Sequence, residues 1–229
     1  MTMTTCSSAA QIPDMATWTI GEAREASDEI RSFPLTIDRK WLRLQLCDVV
    51  SPFELSSLNE SSSRKSLTLR LPAEWDGALG ALEEALVKVA VTRSEQLFGG
   101  KLTEEQVLSR YKPITKKMAE YPRTVRTKVN LGIGPYATRF WDLSRSAVAP
   151  PELFSGQHFN CVLIVRSVWV SPAGWGLVCD ASDLQILDGP PVACPFDKPA
   201  SQPKHSDLQV GIERLNSCAN LLITHPITR

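Results

Sequence analysis

FNCVLIVRSVWV (159–170), SPAG (171–174) and WGLVCDASDLQIL (175–187) read together as two strands joined by a hairpin-length turn. The first run is apolar on both faces, which predicts a central strand covered by a second layer. The second run returns as its partner, and Gly176 in it marks a bulge or a close backbone approach. A strand pair of this kind needs neighbours, and the sequence supplies them upstream.

ATRFWDL (137–143) predicts a short strand with Arg139 and Trp141 on one face and Phe140 on the other. GIGPY (132–136) before it is turn chemistry. RTVRTKVNL (123–131) alternates, with Val125, Val129 and Leu131 on one face and Arg126 and Lys128 on the other. Earlier still, SLTLRL (66–71) turns its leucines inward and Ser66, Thr68 and Arg70 outward. RKWLRLQLCDVV (39–50) does the same with Leu42, Leu44 and Leu46 against Trp41, Arg43 and Gln45. Period two over such lengths predicts half-buried strands. Between the second and third strands the period changes. Leu79, Leu82, Leu86, Val89 and Leu97 follow helical spacing, with Asp76 as N-cap and Gly99–Gly100 as the stop. A shorter helix starts at Thr103, whose spacing to Gln106 is that of a capping box, and Lys112–Pro113 closes it.

The fold class is therefore mainly β with inserted helices (α+β), about six strands forming a small barrel or sandwich. The expected organisation is a flexible arm over 1–15 and a barrel domain over 16–188 with its helical insertion at about 76–112. A Pro-rich irregular segment over 189–206 and a C-terminal helix and tail over 207–229 follow.

Composition bounds the function. The 229 residues carry 25 Lys+Arg and 25 Asp+Glu, a formal net charge of zero, with 43% hydrophobic residues. Collagen-like, coiled-coil and wholly disordered chains are excluded, as is a polycation that coats nucleic acid by bulk charge. No apolar run is long enough for a transmembrane helix, and residues 1–13 lack a secretory pattern, so a soluble intracellular protein is expected. None of the six cysteines shares a C-x-x-C spacing, and Cys47, Cys161 and Cys179 are expected as buried free thiols. His158, His205 and His225 are dispersed, so no metal, cofactor or catalytic group is expected. Searches for G-x-S-x-G, H-E-x-x-H and a Walker A loop find nothing, and an enzyme is not expected.

The zero sum hides an uneven layout. From Arg110 to Arg145 nine basic residues face only Glu120 and Asp142, a local balance of +7. Lys112, Lys116, Lys117 and Arg123 belong to this window, as do Arg126, Lys128 and Arg139. Strand parity adds an independent point: Trp41, Arg43, Arg70, Arg126, Lys128, Arg139 and Trp141 all fall opposite the leucine and valine rows. Trp169 and Phe159, by contrast, are expected in the core. A basic sheet face with exposed aromatics suits single-stranded nucleic acid, where bases stack on rings while cations follow phosphates. These eleven residues form the candidate nucleic-acid site.

The run from Tyr121 to Leu187 also resembles a known group, the OB-fold single-stranded DNA-binding proteins of large DNA viruses and podophages. In that group a Pro-Arg/Lys strand, here YPRTVRTKVN, precedes a short polar-aromatic strand, here TRFWDL. A strand rich in Val and Ile follows, here GQHFNCVLIVRSVWV, and a hairpin partner closes the pattern, here GWGLVCDASDLQIL. The resemblance implies an OB-like five- to six-stranded barrel and sequence-independent binding of single strands in replication, recombination or repair. It implies phosphate contacts by Arg123, Arg126 and Lys128 and base stacking by Trp141. It further implies replication proteins as partners and action in the nucleus or at a viral replication site, and it leaves room for a homo-oligomer. The alternatives are RNA in place of DNA, or a structural or protein-interaction module built on the same β-barrel.

Overall fold

The computed structural model describes residues 3–6, 17–27, 29–57, 61–118 and 120–187. Strands β1 (Met3–Cys6), β2 (Trp18–Ile20), β3 (Arg24–Ser27), β4 (Ile30–Ile37), β5 (Trp41–Val50) and β6 (Arg64–Arg70) come first. Helices α1 (Ala73–Thr92), α2 (Ser94–Phe98) and α3 (Glu104–Ser109) follow. Strands β7 (Thr115–Met118), β8 (Tyr121–Asn130), β9 (Arg139–Trp141), β10 (Ala147–Val148), β11 (His158–Ser171) and β12 (Gly174–Leu187) complete the described chain. The protein is mainly β, with the helices inserted between the expected second and third strands.

The strands join in one mixed sheet in which five of them pair in a ring. β11 pairs antiparallel with both β12 and β5 over most of their lengths, so it is the central strand its two apolar faces demand. β6 and β8 pair antiparallel from Arg64↔Asn130 to Arg70↔Thr124. The two remaining seams are narrow: β5 meets β6 at Val50↔Arg70, and β12 meets β8, in parallel, at Asp180↔Lys128. This arrangement is consistent with an OB-like β-barrel. β1 runs parallel to β5 from Met3↔Trp41 to Cys6↔Leu44, so part of the expected N-terminal arm is a paired strand.

Alternation places the core. Leu42, Leu44, Leu46 and Val49 of β5, Leu67 and Leu69 of β6, and Val125 and Val129 of β8 are each 1% exposed or less. They meet Cys161, Leu163 and Val165 of β11 and Cys179 and Ala181 of β12. Burying one leucine contributes about 2 kcal/mol, and a one-residue slip would turn a whole row outward, so register is firmly set. α1 adds Trp75, Leu79, Leu82 and Leu86 to the same core. Trp175 joins sheet to helices. Its Nε1 donates to the Val107 carbonyl at 2.8 Å, and its ring meets Phe98 edge-on and Tyr111 at 4.7 Å. Gly176 beside it is the expected close approach: a Cβ there would stand 2.5 Å from the Lys112 carbonyl oxygen.

Several expectations change. β1, β2, β3, β4, β7 and β10 are not legible as strands in the sequence, and the described residues hold twelve strands, not six. β4 (IRSFPLTI) buries Phe33, Leu35 and Ile37, but its Pro34 obscures the pattern. Pro34 sits where the β11 ladder ends, at Ser167↔Pro34, so its missing N–H interrupts nothing. α1 begins at Ala73 after an extended Pro72, ahead of the expected Asp76 cap, and the helix breaks at Arg93 before α2. The Thr103–Gln106 capping box is formed in full. Cys161 and Cys179 are buried, and burial pushes both thiols above the usual range. Cys47 is exposed, because its position in β5 alternates with Leu46. The Pro-rich segment and C-terminal helix, with Cys194, Cys218, His205 and His225, lie outside the described residues.

Candidate nucleic-acid interface

The outer face of β6, β8 and β7 is basic. Directly paired residues share a side of a sheet, so register alone gathers Arg64 with Asn130, Ser66 with Lys128, Thr68 with Arg126, and Arg70 with Thr124. Lys116 of β7 extends the last row by pairing with Thr124. Arg64, Arg70, Lys116 and Arg126 are exposed; Lys128 is half-buried, its Nζ donating to Ser66 Oγ at 2.7 Å. Burial, reinforced by the neighbouring Arg126 and Arg64 charges and opposed by Asp180, holds the Lys128 ammonium below the ordinary lysine range.

The face continues across β12 onto β11, β5 and β9 through two carboxylates. Asp180, paired with Lys128, accepts from Arg64 Nη2 at 2.6 Å and from Arg166 Nε at 3.1 Å. Arg166 in turn lies over the Trp41 ring at 4.1 Å and 5.4 Å from the Tyr136 ring. Asp183 accepts from Trp141 Nε1 at 3.0 Å and Arg139 Nη2 at 3.0 Å, and Arg43 Nη2 stands 3.8 Å away. Burial alone would raise the Asp183 carboxyl, but hydrogen bonds from Arg139, Ser182 and Trp141 carry it below the usual carboxylate range. Both networks hold cationic heads at fixed positions on the sheet surface, which lowers the ordering cost of meeting an anion. Ile164, between Arg43 and Asp180 in the register, is 2% exposed beneath this polar cover.

Trp41, Arg43, Arg70, Arg126, Lys128, Arg139 and Trp141 thus share the outer surface, as their parity predicts, and Lys116, expected only as part of the basic window, joins them through β7. Arg123 does not. It is half-buried with Nη1 3.2 Å from Thr115 Oγ1, and its guanidinium lies against Gly80 of α1. Lys112 is exposed in the connection between α3 and β7, its backbone N–H donating to the Trp175 carbonyl of β12. Lys117 is exposed on β7 beside Lys116. Trp41 is half-buried and capped by Arg166, and Trp141 is half-buried and tied to Asp183; Tyr136, 67% exposed, offers the more open ring. Sequence reasoning missed Arg64, Tyr136, Arg166, Asp180 and Asp183. Arg166 carried a signal, as the lone charge in a twelve-residue apolar strand; the two aspartates needed the register of β12.

Among the described residues no group of three or more His, Cys, Asp or Glu side chains is placed to hold a metal ion. His158 pairs with Asp48, Nδ1 to Oδ1 at 2.7 Å. No helix of the described residues is long and apolar enough to cross a membrane.

No family model matches the chain, and no curated protein matches it. Among solved structures it is similar to the single-stranded DNA-binding protein from bacteriophage Enc34, with a TM-score of 0.42 and 10% identity. The match covers 79% of this chain and 96% of that one.

Proposed function

We propose that this chain is a non-catalytic single-stranded DNA-binding protein built on an OB-like barrel and acting in replication, recombination or repair. The carrying observation is the basic face of β6 and β8, where Arg64, Arg70, Arg126 and Lys128 are brought together by register. β6 and β8 are the second and third strands of the five-strand ring, and in OB-folds oligonucleotides lie on the face of those strands. The cations follow phosphates, and Tyr136 and Trp141 at the margin supply rings for stacking. Single strands fit better than duplex because the face combines charge with aromatics, and a duplex keeps its bases stacked inside.

Charge reversal tests the reading. Arg126→Glu with Lys128→Glu is expected to weaken oligo-dT binding by at least about tenfold and to make the salt slope shallower by roughly two. Both side chains stand on the outer surface, so circular dichroism and thermal midpoint should stay near wild type. Unchanged affinity in the folded double variant would remove the β6–β8 face from the site. Tighter binding of single-stranded RNA than of DNA would reassign the ligand.

A further inference from the structure

Asp180 on β12 divides its carboxylate between two arginines that differ in freedom. Oδ1 accepts from Arg64 Nη2 at 2.6 Å, and Oδ2 accepts from Arg166 Nε at 3.1 Å. The Arg166 side chain is 16% exposed, and its guanidinium stands over two rings, 4.1 Å from the centre of Trp41 and 5.4 Å from that of Tyr136. The Arg64 side chain is 52% exposed, and among the described residues Asp180 is the one partner of its guanidinium. The backbone of Arg64 is fixed by its pairing with Asn130 and by its N–H bond to Ser62 Oγ at 3.2 Å. Only its side chain is free to move.

We propose that Asp180 is an internal competitor of the bound strand: it holds Arg64 in the free protein and yields it to a phosphate on binding, while Arg166 stays. The inference rests on the function proposed above and gives Asp180 an affinity-setting role in it. Three observations carry it. The two arginines use different oxygens of the carboxylate, so Arg64 can leave without disturbing Arg166. The Asp180 side chain is 23% exposed, so water reaches the vacated oxygen, and Arg166 keeps the carboxylate paired. An ion pair as open as that of Arg64 is weakly held, whereas a carboxylate losing both partners would be left uncompensated. Arg64 also begins β6, at one end of the row that Arg126 and Arg70 continue. A strand gripped by those cations brings its next phosphate to Arg64 at high effective concentration, which a small free anion does not match. Every strand that takes Arg64 must first displace this carboxylate.

The test is a double-mutant cycle in the full chain, each variant titrated with oligo-dT at one low salt concentration. Asp180→Asn keeps an acceptor oxygen for Arg166 but removes the charge that holds Arg64, and it should bind about fivefold more tightly. Arg64→Gln should cost only about twofold, because the phosphate contact it loses is offset by a carboxylate contact that no longer has to break. In the Arg64→Gln background the gain from Asp180→Asn should fall below about twofold. Arg126 is exposed and, among the described residues, in no salt bridge. Arg126→Gln should therefore cost about fivefold or more, a comparison that stands even if Asp180→Asn does not fold. Equal losses for Arg64→Gln and Arg126→Gln would overturn the proposal. Weaker binding by a folded Asp180→Asn would also overturn it, as would a gain of the same size with and without Arg64. Failure of wild type to bind oligo-dT at low salt would instead overturn the function beneath it.

Discussion

Lys128 is the cation of the proposed face whose charge the fold perturbs. Its ammonium is partly desolvated and lies among like charges, so it gives up its proton more readily than an ordinary lysine. A bound phosphate would add to the counter-charge that Asp180 supplies, so binding would take up a proton at this site. Single-strand affinity should therefore decline as pH rises through the alkaline range just below that of ordinary lysines. Lys128→Arg should abolish that decline, since guanidinium does not titrate there. An identical pH profile in Lys128→Arg would show that another group is responsible. The sign for folding is opposite. With the folded-state value lowered, the unfolded chain binds more protons between the two values, so stability rises with pH across that window. Arg123 carries a different lesson. The alternation of β8 places it with Val125 and Val129, and there the structure puts it, against α1. Parity already separated it from Arg126 and Lys128, whereas the family resemblance grouped all three as phosphate contacts.

At the scale of elements, the long alternating strands and the capping box were legible because one period dominates each. The short strands β2, β7 and β10 were not, since two to four residues carry no measurable period. Nor was the fastening between the helices and the sheet. Glu83 on α1, 6% exposed, accepts from Tyr111 Oη at 2.6 Å, from the Ile114 backbone N–H at 2.8 Å and from the Thr115 hydroxyl. Burial, together with the Glu83 charge and its hydrogen bond, pushes the Tyr111 hydroxyl well above its usual range. In the sequence Glu83 looks like one more polar residue opposite the leucines; only the fold turns it inward. Glu83→Leu leaves three donors without an acceptor, and at about 1–3 kcal/mol each it should destabilise the protein by at least about 3 kcal/mol. Glu83→Gln keeps one acceptor oxygen and should cost less. Urea denaturation measures both, and a Glu83→Leu loss below about 1 kcal/mol would mean that the carboxylate does not fasten α1 to the β7 segment.

At the scale of the whole molecule, the formal charge of zero says little by itself. The +7 window from Arg110 to Arg145 is folded so that β8 presents its alternate residues beside Arg64 and Arg70 of β6, and the total conceals a directional face. The same folding sets Asp180 and Asp183 among the arginines, where they orient the cations and moderate the field. A surface of this kind predicts binding whose strength depends on ionic strength through a handful of phosphates. The most direct test is a salt-dependent titration of the full chain with single-stranded DNA, single-stranded RNA and duplex. With Arg64, Arg70, Lys116, Arg126 and Lys128 engaged, log affinity for single-stranded DNA should fall linearly with log salt at a slope of about −3 to −4, and duplex should bind more weakly. No binding of single strands at low salt, or an affinity indifferent to salt, would contradict the account.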